Sequence, residues 1–184
     1  MDLEAVYFAR MLTTERLVLR TWTDADLAPF VALNADPEVM TFFPSTLDHA
    51  GSAELMARIR GHFEAHGFGM WAIERQGVFI GFAGLAVPNF TARFTPCVEI
   101  GWRLAREYWG HGYATEAAQA ALCYGFESLR LDEIVSFTVP HNQRSRRVME
   151  KLGMSMDGTF AHPRLPAEHP LSLHVLYRLR AQGR

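Results

Sequence analysis

The stretch from Cys97 to Phe126 reads CVEIGWRLAREYWGHGYATEAAQAALCYGF. It is a strand that passes through a glycine-paired turn, Trp109-Gly110-His111-Gly112-Tyr113-Ala114, and enters a helix at once. The first turn of any helix carries N–H groups with no intrahelical acceptor, and the helix dipole adds partial positive charge there. Small residues at Gly110, Gly112 and Ala114 let an anion approach that backbone closely, which makes a pyrophosphate cradle that needs no basic side chain. The alternative is a tight strand-to-helix connection whose glycines serve turn geometry alone. No GxxxxGK[ST] occurs, so the turn is not a P-loop. Gly110-x-Gly112-x-x-Thr115 echoes a dinucleotide fingerprint with Asp132 some way on, but Asp132 precedes the next strand instead of following it.

Around this centre the chain reads as one α+β domain. Arg16 to Thr21 alternates as a half-exposed strand, and Thr23 with Asp26 forms a capping box opening a helix to about Ala35. Asp36-Pro37 predicts a second short helix that Pro44 stops, and a longer one runs from about Ser52 to His66, ending at Gly67. Two strands follow, Met70 to Glu74 and Val78 to Ala86, joined at Arg75-Gln76-Gly77; Gly81 and Gly84 suggest a bulge or a close backbone approach. The central strand (Cys97 to Leu104) and helix (Gly112 to about Leu129) precede a strand at Glu133 to Val139. A helix at Gln143 to Leu152 and strands at Met154 to Phe160 and His174 to Leu179 complete the chain.

A length of 184 residues fits one domain, and 49% hydrophobic with 21% charged residues excludes disorder. The formal net charge of −2 gives no global attraction to nucleic acid or an anionic membrane. Cys97 and Cys123 form no CxxC and suit a reducing compartment; the eight histidines have no metal-ligand spacing. No apolar run is long enough to span a bilayer, and Met1 to Arg10 lacks the pattern of a signal peptide. The expected location is cytoplasmic, with residues 1–11 read as an extension ahead of a single domain over 12–184.

The central run resembles the acetyl-CoA-binding motif of the GNAT acyltransferase superfamily, Q/R-x-x-G-x-G/A, with Trp109, Gly112 and Ala114 at its first, fourth and sixth places. Trp109 departs from the usual Gln or Arg. The phrase YWGHGYATEA, the opening TERLVLRTWTDADL (Thr14 to Leu27) and the late HNQRSRRVMEKLGM (His141 to Met154) are similar to the RimJ/RimL branch, the ribosomal-protein N-terminal acetyltransferases and their relatives. The resemblance spans about Leu12 to Leu179. It implies a mixed, mostly antiparallel sheet of six to seven strands, splayed in the middle and flanked by about four helices. Pantetheine would lie in the splay and pair with backbone near Trp102 and Leu104. The diphosphate would sit on the amides of His111, Gly112, Tyr113, Ala114 and Thr115. Asn142 would bond the pantetheine arm, and Arg147 matches an arginine that could meet the nucleotide's phosphate.

Acyl transfer from a thioester to an amine requires a group to take the amine's proton, donors for the thioester oxygen, and a proton or hydrogen bond for the leaving thiolate. Glu99 is the candidate base. Strand alternation places it on one face with Gly101 and Arg103, opposite Ile100, Trp102 and Leu104. The competing reading is a Glu99 paired with Arg103 or solvated. Ser145, where many relatives place a Tyr, is a candidate thiolate stabiliser. Glu116 is read as a first-turn carboxylate that complements the helix dipole, and Cys97 as a packed residue. The function expected from these features is direct acetyl transfer from acetyl-CoA to a primary amine, without a metal. An N-terminal α-amino group is the first choice of acceptor, with a small-molecule amine or a non-catalytic acyl-CoA-binding module as alternatives. The partners expected are an amine-bearing protein, peptide or small molecule, with no nucleic acid and no membrane; the chain would be a monomer or homodimer.

Overall fold

The computed structural model describes residues 11–181. One sheet holds eight strands: β1 (Met11–Thr13), β2 (Val18–Arg20), β3 (Met70–Arg75), β4 (Val78–Ala86), β5 (Glu99–Leu104), β6 (Glu133–Thr138), β7 (Ser155–Ala161) and β8 (Leu173–Arg180). Their order is β1-β2-β3-β4-β5-β6-β8-β7. Every neighbouring pair is antiparallel except β5 and β6. Four α-helices flank the sheet: α1 (Leu27–Ala35), α2 (His49–His66), α3 (Tyr113–Cys123) and α4 (Gln143–Lys151). The expected α+β class and splay hold, with one strand more than the expected upper count. The addition is β1, whose three residues are too few to display a period of two. Met11 belongs to β1, and the rest of the expected extension lies outside the described residues.

Two elements depart from the sequence reading. Asp36-Pro37 opens a series of turns, not a helix. The Asp36 carboxylate accepts from the Glu38 and Val39 amides at 2.8 and 3.4 Å, and the Thr41 hydroxyl bonds back to the Pro37 and Glu38 carbonyls. Such local side-chain bonds compete with a propagating helical ladder. Helix α2 begins three residues before Ser52, because the Asp48 side chain caps it by accepting from the Gly51 amide at 2.8 Å. That one cap contributes about 1 kcal/mol. Beyond Cys123, α3 widens into a π-helical turn, Tyr124–Ser128.

The strands alternate between two different interiors. Leu19, Ile73, Leu85, Ile100 and Leu104 pack with Ala117, Ala121, Leu122 and Met149, so α3 and α4 cover one face. On the other face, Trp22, Phe30, Met56, Ile59 and Phe82 form a cluster with α1 and α2. A second, separate cluster there joins Phe94, Val135 and Leu176 to Phe90, Phe137 and Phe160. Between these two clusters β5 contributes Glu99, Gly101 and Arg103, so a polar seam divides them.

Close backbone approach keeps β3, β4 and β5 tightly layered. A Cβ at Gly84, where φ is +156°, would lie 2.2 Å from the Gly69 carbonyl oxygen. The β3–β4 register also shifts at Ile73/Glu74, so the strand carries both the bulge and the close approach that its glycines predict.

Candidate active site

The β5–β6 pairing is narrow. Its register is a single residue pair, Glu99 with Val135, backed by the Val135 amide donating to the Val98 carbonyl at 3.0 Å. One residue on, the buried Ser136 hydroxyl donates to the Ile100 carbonyl at 2.9 Å, so a side chain replaces the ladder as the strands part. Hydrogen-bonding direction alternates along a strand. The Ala105 amide bonds back to Ile80 of β4, while Val98 and Ile100 bond toward β6. By that alternation the backbone groups of Trp102 and Leu104 face the gap. The Leu104 carbonyl is taken by the Trp109 indole N–H at 2.9 Å. Trp102 N–H and C=O and the Leu104 N–H then form the strand edge an extended ligand could pair with.

At the end of this gap stands the glycine turn. Gly110 (φ +79°) and Gly112 (φ +83°) both occupy the left-handed region, which is strained for any residue with a Cβ. Gly112 is the N-cap of α3, and the first intrahelical bond runs from the Glu116 amide to the Gly112 carbonyl. The amides of Tyr113, Ala114 and Thr115 therefore have no acceptor within the helix. His111, Gly110 and Gly112 are exposed, whereas the Tyr113 side chain is buried. The exposed glycines offer no side chain to block an anion, so this end of the gap fits a diphosphate.

A clamp fixes that turn. Glu116 accepts from the Thr14 hydroxyl at 2.6 Å, from the Arg16 amide at 3.0 Å and from the Arg16 guanidinium at 2.7 Å. Arg16 also donates to the His111 carbonyl at 3.1 Å and lies over the Tyr113 ring. Burial opposes the charge on Glu116, but these hydrogen bonds outweigh it and hold the carboxyl below its ordinary value. The dipole role expected of Glu116 is thus joined by a second one, tying the β1–β2 turn to the cradle. A partner 100 residues away is not readable in sequence.

Across the gap, Asn142 caps α4 by accepting from the Ser145 amide at 3.2 Å, and its amide nitrogen donates to Thr138 at 3.0 Å. One Nδ2 hydrogen is then left to reach a ligand. Ser145 is half-buried at the same helix start. Of the basic cluster there, Arg144 stacks over Trp109 with its guanidinium carbon 4.4 Å from the ring centroid. Arg146 bonds to Tyr177 and Pro140, and Arg147 is exposed. Within that cluster, Arg144 is the arginine in contact with the turn, through Trp109.

Glu99 is half-buried as a residue and its carboxyl is surrounded by protein; burial pushes its pKa from 4.5 up to about 7, against a lowering pull from Arg164. The pairing with Arg103 considered above does not occur. Arg103 instead donates to the Asn34 side-chain oxygen at 2.6 Å. Cys97 is pushed to about 11 by burial and the neighbouring Glu99 charge, so it stays a thiol and is a poor nucleophile. Among the described residues no group of three or more His, Cys, Asp or Glu side chains could hold a metal ion. No helix among them is long and apolar enough to cross a membrane.

Residues 16–155 match the family model for the acetyltransferase (GNAT) domain. The chain belongs to the GNAT family. It is an acetyl-CoA-dependent N-acetyltransferase by family, a class that transfers acetyl groups to amines. The Bacillus subtilis (strain 168) protein YkkB is 37% identical over 151 residues, covering 80% of this chain and 87% of that one. The solved structure of a GNAT-family acetyltransferase from Bacillus anthracis aligns with TM-score 0.75 and 26% identity over 92% of this chain and 98% of that one. Mycobacterium smegmatis RimJ shares the fold, with TM-score 0.72 and 22% identity over 90% and 82% of the two chains.

Proposed function

We propose that this GNAT enzyme transfers acetyl from acetyl-CoA by direct attack of a primary amine, with Glu99 as the general base and an N-terminal α-amino group as the first choice of acceptor. The observation that carries this reading is a carboxyl raised to about 7, on β5 where it parts from β6. Acetyl-CoA supplies an acetyl group on a thioester. As the amine nitrogen bonds to the acyl carbon and the carbon–sulfur bond breaks, Glu99 takes the amine's proton, directly or through one water. A base poised near the working pH combines readiness with driving force. Its task is lighter for an α-amino group, with a pKa of about 7.7–8.0, than for a lysine amine near 10.4. Ser145 is the hydroxyl for the leaving thiolate. As a poor acid it would stabilise the sulfur by a hydrogen bond and leave protonation to water.

The Tyr113, Ala114 and Thr115 amides, with His111 and Gly112 ahead of them, are the proposed diphosphate site. Trp102 and Leu104 backbone, Trp109 and Asn142 would line the pantetheine arm, with Arg144 and Arg147 as cations for the nucleotide's phosphate. A small-molecule amine is the second reading of the acceptor. Spermidine N(1)-acetyltransferase of Escherichia coli (strain K12) is 36% identical over 59 residues, 32% of each chain.

The test is CoA release on a panel of N-terminal peptides and polyamines, comparing wild type with Glu99→Gln across pH. The wild-type kcat/KM should rise as pH passes about 7, and the Gln variant should lose that limb with about 100-fold or more of the rate. An unchanged profile removes Glu99 as base. Tight acetyl-CoA binding without turnover on any amine would make the chain a binding module.

A further inference from the structure

Arg103 is a half-buried residue whose guanidinium Nε is closed to solvent, with no carboxylate beside it. Its Nη1 donates to Asn34, whose own amide nitrogen is spent on Ser52. Its Nε is buried without any hydrogen-bond partner. Two aromatic rings flank it, with the guanidinium carbon 4.0 Å from the Phe43 centroid and 5.2 Å from that of Phe82. Burial alone lowers its pKa from 12.5 to about 10, with no acidic neighbour to offset the cost. Leaving a charge in the interior unpaired costs several kcal/mol, roughly, unless something completes it. The guanidinium edge left over is the Nε–Nη2 side, the fork that grips a carboxylate or phosphate through two parallel hydrogen bonds.

Position gives that edge a use. Arg103 shares a face of β5 with Glu99, four residues away, or about 13 Å between Cα atoms. Gly101 lies between them with no side chain, and the Met70 methyl sits 3.2 Å from where its Cβ would be. We infer that Arg103 reads a carboxylate on the acceptor, so that the substrate is an amine carrying a carboxylate about three residues of extended chain away from the reacting nitrogen. Phe43, 39% exposed on the irregular α1–α2 connection, is the cover under which that group enters. The inference deepens the proposed reaction and rests on it for where the amine sits.

Two matched pairs of probes test it and separate the sources of the anion: Ala-Ala-Glu-amide against Ala-Ala-Gln-amide, and ω-aminooctanoate against octylamine. Each is measured for kcat/KM and, with CoA present, for Kd by tryptophan fluorescence. Wild type should favour the anionic member of at least one pair ten-fold or more, and in Arg103→Met that ratio should fall toward one. Arg103→Lys should retain part of it. Thermal melts serve as the structural control. Arg103→Met leaves the buried Asn34 side-chain oxygen without its donor, so Tm should fall modestly, whereas Arg103→Lys, which keeps a donor, should lose less. Equal treatment of both members in wild type, or an undiminished preference in Arg103→Met, overturns the inference while leaving the acetyl-transfer reading intact. Arg103-dependent anion preference in Kd without turnover on any amine supports the site and sinks the reaction.

Discussion

Between its ordinary 4.5 and the folded value of about 7, the Glu99 carboxyl holds a proton that the unfolded chain has already released. The folded state binds more protons across that interval, so stability declines as pH rises from about 4.5 through about 7 and is level above it. The paired carboxyls act in the opposite sense and in another window. Burial opposes the charge on Asp26, but its hydrogen bonds with Arg20 and Thr23 hold its pKa below 3.8; Glu116 is held below 4.5 in the same way. Their stabilisation is present above the ordinary carboxyl range and is lost as pH falls through the folded values. A Glu99→Gln variant should therefore gain on wild type as the buffer moves from pH ~5 to ~8, by on the order of 1–3 kcal/mol in urea denaturation. Parallel stability curves for the two proteins would mean that Glu99 is not held in its neutral form by burial. The base that burial prepares for catalysis is thus also a liability to the fold at alkaline pH.

Helix α3 has its N-terminus set by a backbone conformation. Gly112 sits at φ +83°, and a Cβ there would meet only the Arg16 guanidinium, at an ordinary 3.5 Å. The obstacle to Gly112→Val is therefore torsional: a β-branched residue leaves the left-handed region, and the amides of residues 113–115 turn away with it. Acetyl-CoA affinity should fall ten-fold or more by titration calorimetry, about 1.4 kcal/mol. Undiminished affinity in a folded variant would mean that those amides do not hold the diphosphate. This cradle was readable in sequence because its parts are adjacent, two glycines and a helix start within six residues. The Gln76-Gly77 hairpin was readable for the same reason. The α1–α2 connection was not, because the Asp36 and Thr41 side chains redirect hydrogen bonds that a proline-led helix would have used. The partners of Glu116 and Arg103 were equally hidden, since each comes from another element, brought close only by the sheet.

As a whole, the molecule consists of two half-sheets, β1–β5 and β6–β8, joined by one parallel residue pair and the Ser136–Ile100 hydrogen bond. Ligand lying in the gap would take the place of the missing ladder and bind both halves at once. Any ligand that prefers the folded state adds global stability, about 2.7 kcal/mol at a hundred times Kd, so all amides that exchange through full unfolding slow together. Pairing with the strand edge adds something local. The Trp102 and Leu104 amides face the gap and should exchange quickly in the free protein. With saturating acetyl-CoA they should slow at least ten-fold, together with the amides of residues 113–115. Amides of β7, the outer strand at the other end of the sheet, open by local fraying, which ligand in the gap does not touch, and should change far less. Hydrogen exchange resolved residue by residue distinguishes the outcomes. Protection at 113–115 with none at Trp102 and Leu104 would place the diphosphate correctly and remove the extended arm from the splay. Uniform slowing everywhere would mean that ligand raises stability without pairing to the β5 edge, and the two half-sheets would then be bridged by protein alone.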